Sequence, residues 1–89
     1  SIPKKAYEIW NYIRKYHKTQ PGYIGGKTFH NREKKLPLVD SKGKRIQYKE
    51  WDVNPKKTGV NRGPERLVSQ GFVRAWYTNN HYKSFIELK

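Results

Sequence analysis

Aromatic rings supply much of the apolar material in this chain, and positive charge surrounds them. Three Trp, seven Tyr and three Phe stand among 89 residues, of which only 34% are hydrophobic. Twenty Lys and Arg against seven Asp and Glu give a formal net charge of +13. A disordered basic tail would lack these rings, because burial of aromatic area is what offsets the entropy lost on folding. We therefore expect one folded domain over residues 1–89, with a small aromatic core.

The composition excludes several classes of protein. No apolar stretch reaches the roughly 18 residues that a transmembrane helix needs, and no apolar segment is typical of a signal peptide. Cysteine is absent, which rules out disulfides and thiolate metal sites. Methionine is absent as well, so we expect a processed mature form or a domain of a longer protein.

The excess of positive charge favours a polyanionic partner over a merely soluble basic surface. Lys and Arg displace the counterions of nucleic-acid phosphates, and exposed rings stack on unpaired bases. Anionic membranes attract the same charge, but here it is spread along the chain rather than gathered on one amphipathic helix. The composition therefore indicates a nucleic-acid binder, without separating RNA from DNA.

Residue spacing predicts one helix followed by short strands. Apolar residues from Ser1 to about His17 recur at helical intervals, with Ser1 as the cap and Pro3 in the first turn. Strands are expected over Arg45–Val53, Arg66–Ser69, Phe72–Thr78 and Tyr82–Leu88. This order implies an α+β fold in which one N-terminal helix packs on a twisted antiparallel β-sheet. The core candidates are Trp10, Ile13, Trp51, Leu67, Val73, Trp76 and Ile86.

Four side chains have the chemistry needed to cut RNA without a metal ion. The reaction requires a base for the ribose 2′-OH, an acid for the leaving oxygen and cations that hold the phosphate. Glu50 shares a predicted strand face with Tyr48, so its carboxylate is expected to point inward. His81 follows a two-Asn turn, and Arg62 and Arg66 lie close together in the chain. Each of these residues, taken alone, is more typical of an exposed charge.

Four sequence blocks occur in an order that is more specific than any single residue. They are Phe29–Glu33 with Leu36-Pro37, Lys49–Asn54, Asn61–Val68 and Trp76–Phe85. Together they resemble the microbial ribonucleases, the group that includes barnase, the N1/T1 enzymes and the Streptomyces ribonucleases. In chain order, the blocks are similar to the guanine-recognition loop, the strand with the catalytic glutamate, the segment with two phosphate-binding arginines, and the stretch around the catalytic histidine.

The resemblance implies a compact variant of the microbial ribonuclease fold and a metal-independent, cofactor-free endoribonuclease. Such an enzyme cleaves single-stranded RNA 3′ of guanine through a 2′,3′-cyclic phosphate, which is then hydrolysed. Glu50 then corresponds to the base and His81 to the acid, while Arg62 and Arg66 hold the phosphate. DNA cannot react because it lacks the 2′-OH.

The same resemblance implies how guanine is recognised. Glu33 is the expected acceptor for the N1–H and N2–H groups, and backbone N–H groups near Asn31 and Arg32 are expected to meet O6. Phe29 and Tyr82 are the expected flat surfaces against the base. The alternative for Glu33 is a salt bridge with a neighbouring basic residue, Lys34 or Arg32.

The chain departs from the family pattern near its first block. Further helices that barnase has between the positions of Tyr23 and Ile24 have no counterpart here, so the lysine that they bring to the active site is missing. His30 stands where the family usually has a small or amide side chain. We expect no catalytic role for His30, although it lies where it can touch the base.

The expected partners are RNA and a small acidic, barstar-like inhibitor or immunity protein that covers the catalytic residues. No membrane partner is expected, and the protein is expected to be a monomer. We expect it to be secreted, either as a mature enzyme or as the toxin domain of a larger exported protein. The alternative function is a non-catalytic basic RNA-binding module, which binds RNA without cleaving it.

Overall fold

The computed structural model describes residues 1–89 and contains one helix and five strands. In chain order these are α1 (Lys4–Tyr16), β1 (Gly25–Phe29), β2 (Tyr48–Asp52), β3 (Arg66–Gln70), β4 (Arg74–Thr78) and β5 (Ile86–Glu87). The strands form one antiparallel sheet in the order β1-β2-β3-β4-β5, each pairing with its neighbour in sequence. The predicted α+β class, a helix on an antiparallel sheet, is therefore confirmed. The helix is too short and too polar to cross a membrane.

The helix forms because its apolar side chains recur on one face. The buried residues of that face are Ala6, Ile9, Trp10 and Ile13. The predicted cap at Ser1 is wrong, because Pro3 occupies the N-cap position with extended backbone and contributes no capping side chain. At the other end His17 adopts a left-handed conformation, with a φ of 56°, and its N–H donates to the Ile13 carbonyl.

Alternation along the strands divides the apolar side chains between the two faces of the sheet. One face packs against α1 through Trp51, Val53, Leu67, Ala75 and Tyr77. The other face carries a second cluster of Leu36, Tyr48, Val68 and Trp76. Because Glu50 and Asp52 flank Trp51 in β2, both carboxylates lie on the face opposite the helix. The predicted common face of Glu50 and Tyr48 is confirmed.

Five of the seven predicted core residues are buried, and two predictions are wrong. Val73 is 78% exposed because it lies in the turn between β3 and β4, where β4 begins at Arg74 rather than at Phe72. Ile86 is 49% exposed because β5 is a two-residue strand at the edge of the sheet. The structure instead buries Tyr77 and Val53 against the helix.

Three of the four predicted strands are too long at their ends, whereas the predicted Arg66–Ser69 lies within β3. β2 begins at Tyr48, whereas Arg45 pairs only through an isolated bridge with Val39. The predicted strand Tyr82–Leu88 is reduced to Ile86–Glu87. The chain turns over residues 79–84 instead, since two consecutive residues there have positive φ.

Candidate active site

Asp52 holds two arginines beside the sheet face that is opposite the helix. Its Oδ2 accepts from Arg62 Nη1 at 2.7 Å, and its Oδ1 lies 3.0 Å from Arg66 Nε. Arg66 Nη1 also donates to the carbonyls of Gly63 and Glu65, at 2.8 and 2.7 Å. The Nη2 group of each arginine makes no hydrogen bond with the protein. The buried Asp52 therefore orients two guanidinium groups and leaves donors on both free for a ligand.

Glu65 anchors the segment between these arginines to the rest of the fold. It accepts from Lys5 Nζ at 2.7 Å, from Asn54 Nδ2 at 3.2 Å and from the Tyr77 hydroxyl. Burial alone would raise the pKa of Glu65, but these hydrogen bonds outweigh it and lower the pKa. Asn54 Nδ2 also donates to the Arg62 carbonyl at 3.1 Å. One carboxylate thus joins helix α1 and strand β4 to residues 62–66, which we call the arginine segment.

The turn over residues 79–84 presents His81. The His81 N–H donates to the Pro64 carbonyl at 3.0 Å, which joins this turn to the arginine segment. His81 and Tyr82 have φ values of 54° and 74°, a conformation that costs energy for residues with a Cβ. Thr78 Oγ1 accepts from the Tyr82 N–H at 3.1 Å. In the same turn, Asn80 Oδ1 accepts from the Ser84 N–H at 3.0 Å.

Glu50 differs from the carboxylates that stabilise the fold. The acidic residues with hydrogen-bonded structural partners are Asp40, Asp52, Glu65 and Glu87. Glu50 is half-buried and makes no ion pair within the chain, and the neighbouring Tyr82 hydroxyl is the polar group that interacts with its carboxylate. No group of three or more His, Asp or Glu side chains is placed to share a metal ion.

Two adjoining clefts meet at Glu50, His81 and Tyr82. The aromatic cleft, about 310 Å³, adds Phe29, Asn31, Arg32, Glu33 and Phe85 to these three residues. The cationic cleft, about 320 Å³, adds Lys27, Asp52, Arg62 and Arg66. All nine residues that were predicted for catalysis and substrate binding therefore line one cleft or both. A carboxylate and an imidazole at the junction can transfer protons to and from a molecule that spans the two clefts.

Comparison with known families decides what kind of site this is. The model of the ribonuclease family matches residues 1–89. This chain belongs to the ribonuclease family. A search of curated proteins finds no match.

Solved structures similar to this ribonuclease include three of ribonuclease Sa2. The structure with guanosine-2′-cyclophosphate has a TM-score of 0.72 and 28% identity, covering 100% of this chain and 88% of that chain. One from a series of complexes with mononucleotides has a TM-score of 0.69 and 28% identity, with 99% and 85% covered. The third, with exo-2′,3′-cyclophosphorothioate, has a TM-score of 0.63 and 27% identity, with 100% and 89% covered. The predicted microbial ribonuclease fold is confirmed.

Lys27 is a residue of the ribonuclease's cationic cleft that sequence analysis missed. A β-bulge shifts the register between Gly25, opposite Trp51, and Lys27, opposite Glu50. Gly26 adopts a φ of 92° there, which glycine tolerates without strain. Because directly opposed residues project from the same face, the bulge places Lys27 beside Glu50. The paired glycines before Lys27 are the signal that could have indicated this bulge.

Asp52 was also missed, although the sequence contains a signal for it. Side chains two positions apart in a strand share a face, so Asp52 follows directly from the placement of Glu50. Its carboxylate lies beside the same two arginines that sequence analysis selected.

Tyr82 and Phe29 form the wall of the aromatic cleft. Their ring centroids lie 4.9 Å apart, and Phe85 lies 6.0 Å from Phe29. Burial, together with the nearby negative charge of Glu50, raises the pKa of Tyr82 to about 12. The Tyr82 phenol is therefore neutral at neutral pH.

In the loop after β1, the Asn31 side chain is hydrogen-bonded within the loop, whereas the Glu33 side chain is exposed to solvent. Asn31 Nδ2 donates to the Leu36 carbonyl at 2.9 Å, and its Oδ1 accepts from the Leu36 N–H at 3.1 Å. The Asn31 side chain thus closes the loop, its carbonyl accepts from the Lys34 N–H at 2.9 Å, and its backbone N–H is the group left to meet a base. Glu33 is 72% exposed, and its ion pair is with Lys35 at 3.9 Å rather than with Lys34 or Arg32. Its carboxylate is therefore available to a ligand.

Proposed function

We propose that this ribonuclease cleaves single-stranded RNA 3′ of guanosine by transphosphorylation, without a metal ion. The observation that carries the proposal is the junction of the two clefts, where Glu50 and His81 border both a flat-walled cleft and a cationic one. Full-length similarity to ribonuclease Sa2, one solved structure of which contains guanosine-2′-cyclophosphate, supports guanine as the base. The phosphate of the substrate then lies in the cationic cleft and guanine in the aromatic cleft.

In the first step Glu50 acts as the base. Its carboxylate accepts the proton of the ribose 2′-OH, and the resulting oxygen attacks phosphorus while the bond to the leaving 5′-oxygen breaks. His81, as imidazolium, donates a proton to that oxygen. The products are a 2′,3′-cyclic phosphate and a free 5′-OH. In the second step the roles reverse: His81 takes a proton from water, whose oxygen attacks phosphorus while the P–O2′ bond breaks. Glu50 returns its proton to O2′, and a 3′-phosphate forms.

Three cations stabilise the negative charge that develops on the phosphate. The free Nη2 groups of Arg62 and Arg66 are held in place by Asp52, so little reorganisation is needed as the reaction proceeds. Lys27 adds a third charge on the β1 side of the same cleft. The half-buried carboxylate of Glu50 lines the same cleft as these three cations.

Guanine is distinguished from adenine by the loop after β1. Glu33 accepts the adjacent N1–H and N2–H donors, which adenine does not present. Backbone N–H groups near Asn31 and Arg32 donate to O6. Phe29 and Tyr82 supply the aromatic surfaces on which the base stacks.

The test is cleavage of the dinucleotides GpU and ApU in EDTA. Wild type is expected to convert GpU to guanosine 2′,3′-cyclic phosphate, and Glu50→Gln and His81→Gln are each expected to lose about 10²–10⁴-fold in rate. Glu8→Gln is the matched control, because Glu8 is exposed on α1 and borders neither cleft. If wild type leaves GpU intact but binds RNA tightly and in a salt-sensitive way, the proposed enzyme activity is wrong. The protein would then be the non-catalytic RNA-binding module.

We propose further that the enzyme is a secreted monomer, either a mature protein or the toxin domain of a larger exported protein. A small acidic inhibitor is proposed to cover its cationic cleft. The net charge of +13 and the unpaired donors of Arg62 and Arg66 support a negatively charged partner. Secretion predicts activity in the culture medium of the producer. The inhibitor would be identified as an acidic protein, encoded next to the enzyme, that restores growth on co-expression. Its binding is expected to weaken when Arg62→Gln is introduced into the enzyme.

A further inference from the structure

A third cleft, of about 660 Å³, adjoins the aromatic cleft and takes no part in the reaction described above. We call it the basic groove. The residues that matter for its chemistry are Arg32, Lys34, Arg45, Leu38, Val39 and Ile46. It lies between the loop after β1 and the segment that precedes β2.

The basic groove has positive charge that the protein does not neutralise. Arg32, Lys34 and Arg45 are exposed, and none of their side chains makes a hydrogen bond or an ion pair within the chain. No carboxylate lines the groove. Asp40, in the bordering loop, accepts from the backbone N–H groups of Lys42 and Lys44 at 2.9 and 3.0 Å. The nearby carboxylate thus stabilises its own turn, and the three cations remain available to an anion.

The walls of the groove are already formed. On one side the chain doubles back over residues 38–46, with a bridge between Val39 and Arg45 and a 3.0 Å bond from the Ile46 N–H to the Leu38 carbonyl. On the other side the hydrogen bonds of Asn31 close the loop. Leu38 and Val39 remain about half exposed, which gives the groove an apolar strip beside its charges. Charge beside an apolar strip suits a nucleotide, whose phosphate is anionic and whose sugar and base have apolar surfaces.

The groove is continuous with the aromatic cleft. His30, Asn31 and Arg32 line both, whereas none of them lines the cationic cleft. The three depressions therefore follow one another in the order cationic cleft, aromatic cleft, basic groove. The leaving nucleotide is attached to the phosphate at the cationic end, so the groove is reached by the part of the strand on the other side of the guanosine.

We propose that the basic groove binds the RNA segment 5′ of the cleaved guanosine, with a backbone phosphate held by Arg45 and Lys34. Arg32 contributes at the boundary with the aromatic cleft. The proposal rests on the proposed function for the position of the guanosine. Its consequence is that substrates extended on the 5′ side are cleaved more efficiently than the bare dinucleotide.

The experiment compares kcat/KM for GpU, the 5′-extended UpGpU and the 3′-extended GpUpU. In the double variant Lys34→Asn/Arg45→Gln, the advantage of UpGpU over GpU is expected to fall roughly fivefold, while GpU itself changes less than about twofold. Asn suits the left-handed backbone at Lys34, where φ is 56°. The control is Lys4→Gln/Lys15→Gln, which removes the same charge from α1 on the opposite face of the sheet.

Two results for the double variant would overturn the 5′ assignment. One is a loss of kcat/KM that is confined to GpUpU. The other is an equal loss on all three substrates, which diffuse charge alone would produce. Binding of the uncleavable all-deoxy trinucleotide TGT, compared with the dinucleotide GT, gives a readout that needs no activity. The double variant is expected to lose the extra affinity of TGT and part of its salt dependence. If wild type fails to cleave GpU, the proposed function fails, and the deoxynucleotide affinities still decide whether the groove binds the added nucleotide.

Discussion

The cationic and aromatic clefts share three residues but are built in different ways. In the cationic cleft Asp52 pairs with two arginines, and Glu65 joins their segment to α1 and β4. In the aromatic cleft Glu33, the carboxylate proposed to recognise guanine, is exposed and has only a 3.9 Å contact with Lys35. The charges of the cationic cleft are fixed before the substrate arrives, whereas the Glu33 carboxylate gains its contacts from the substrate.

This difference follows from what each side must do. Charge stabilisation in a transition state is most effective when donors are already oriented, because reorienting them during the reaction costs free energy. Recognition of a base tolerates a side chain that becomes ordered on binding, at a modest cost in side-chain entropy. We therefore expect changes in the cationic cleft to lower kcat, and changes in the aromatic cleft to alter the choice of base.

The largest effect is expected for Asp52→Asn, which removes the charge that orients both arginines. We expect kcat/KM for GpU to fall about 10²-fold, with the loss mainly in kcat. The free energy of unfolding is expected to fall by about 2 kcal/mol, less than for a fully buried pair because the Arg62 side chain is 38% exposed. Single-turnover cleavage and urea unfolding measure the two effects separately.

The matched control for Asp52→Asn is Glu87→Gln, which breaks the ion pair with Arg74 at the far edge of the sheet. It is expected to cost little stability and no activity. If Asp52→Asn lost stability alone and kept its kcat, preorganisation of the arginines would be the wrong account of the cationic cleft.

A smaller effect, on selectivity, is expected for Glu33→Gln. The amide offers one acceptor atom where the carboxylate offers two, so the preference for GpU over ApU is expected to fall about 10- to 100-fold. Stability should be unchanged, because Glu33 is exposed and its only ion pair is long. Glu8→Gln serves as the control, since it makes the same change at an exposed residue of α1 that borders neither cleft. An unaltered ratio of GpU to ApU cleavage in Glu33→Gln would assign base selection to the loop backbone alone.

The helix and the central strands could be predicted from periodicity, since packing on one face requires it. Trp10 and Ile13 at helical spacing, and Glu50 beside Trp51 in a strand, lead directly to their observed faces. The two-Asn turn before His81 was predicted, but its extension through residue 84, where a strand from Tyr82 was expected, could not be predicted in this way. His81 has a positive φ, and residues with a Cβ adopt that conformation only when surrounding contacts impose it.

Sequence analysis identified the residues that line the site more completely than the backbone features that position them. The sequence blocks led to nine of the residues that line the two clefts, but not to Lys27, because its place depends on a bulge. One extra residue reverses the face on which every later side chain of a strand lies. Alternation counted from Gly25 without a bulge puts Lys27 on the helix face, away from Glu50.

A modest effect is expected for Lys27→Gln, which sharpens the comparison within the cationic cleft. Lys27 is exposed and makes no hydrogen bond, unlike Arg62 and Arg66, so its contribution to charge stabilisation is screened by solvent. We expect a loss of about fivefold in kcat/KM for GpU at low salt, shrinking as salt is added. Lys56→Gln, an exposed charge that borders neither cleft, should show no such loss. A salt-independent loss would mean that Lys27 contacts the substrate as closely as the arginines do.

The smallest effect concerns Glu65, whose hydrogen bonds lower its pKa in the folded state. Its contribution to stability is fully present above the pKa of a glutamate in the unfolded chain, about 4.3, and is lost as the pH falls through the lower folded pKa. Glu65→Gln is therefore expected to cost about 1 kcal/mol at pH 6 and less at pH 3. Urea unfolding at the two pH values measures this, with Glu8→Gln as the exposed control. An equal cost at both pH values would mean that the Glu65 carboxylate supports the arginine segment by its shape and not by its charge.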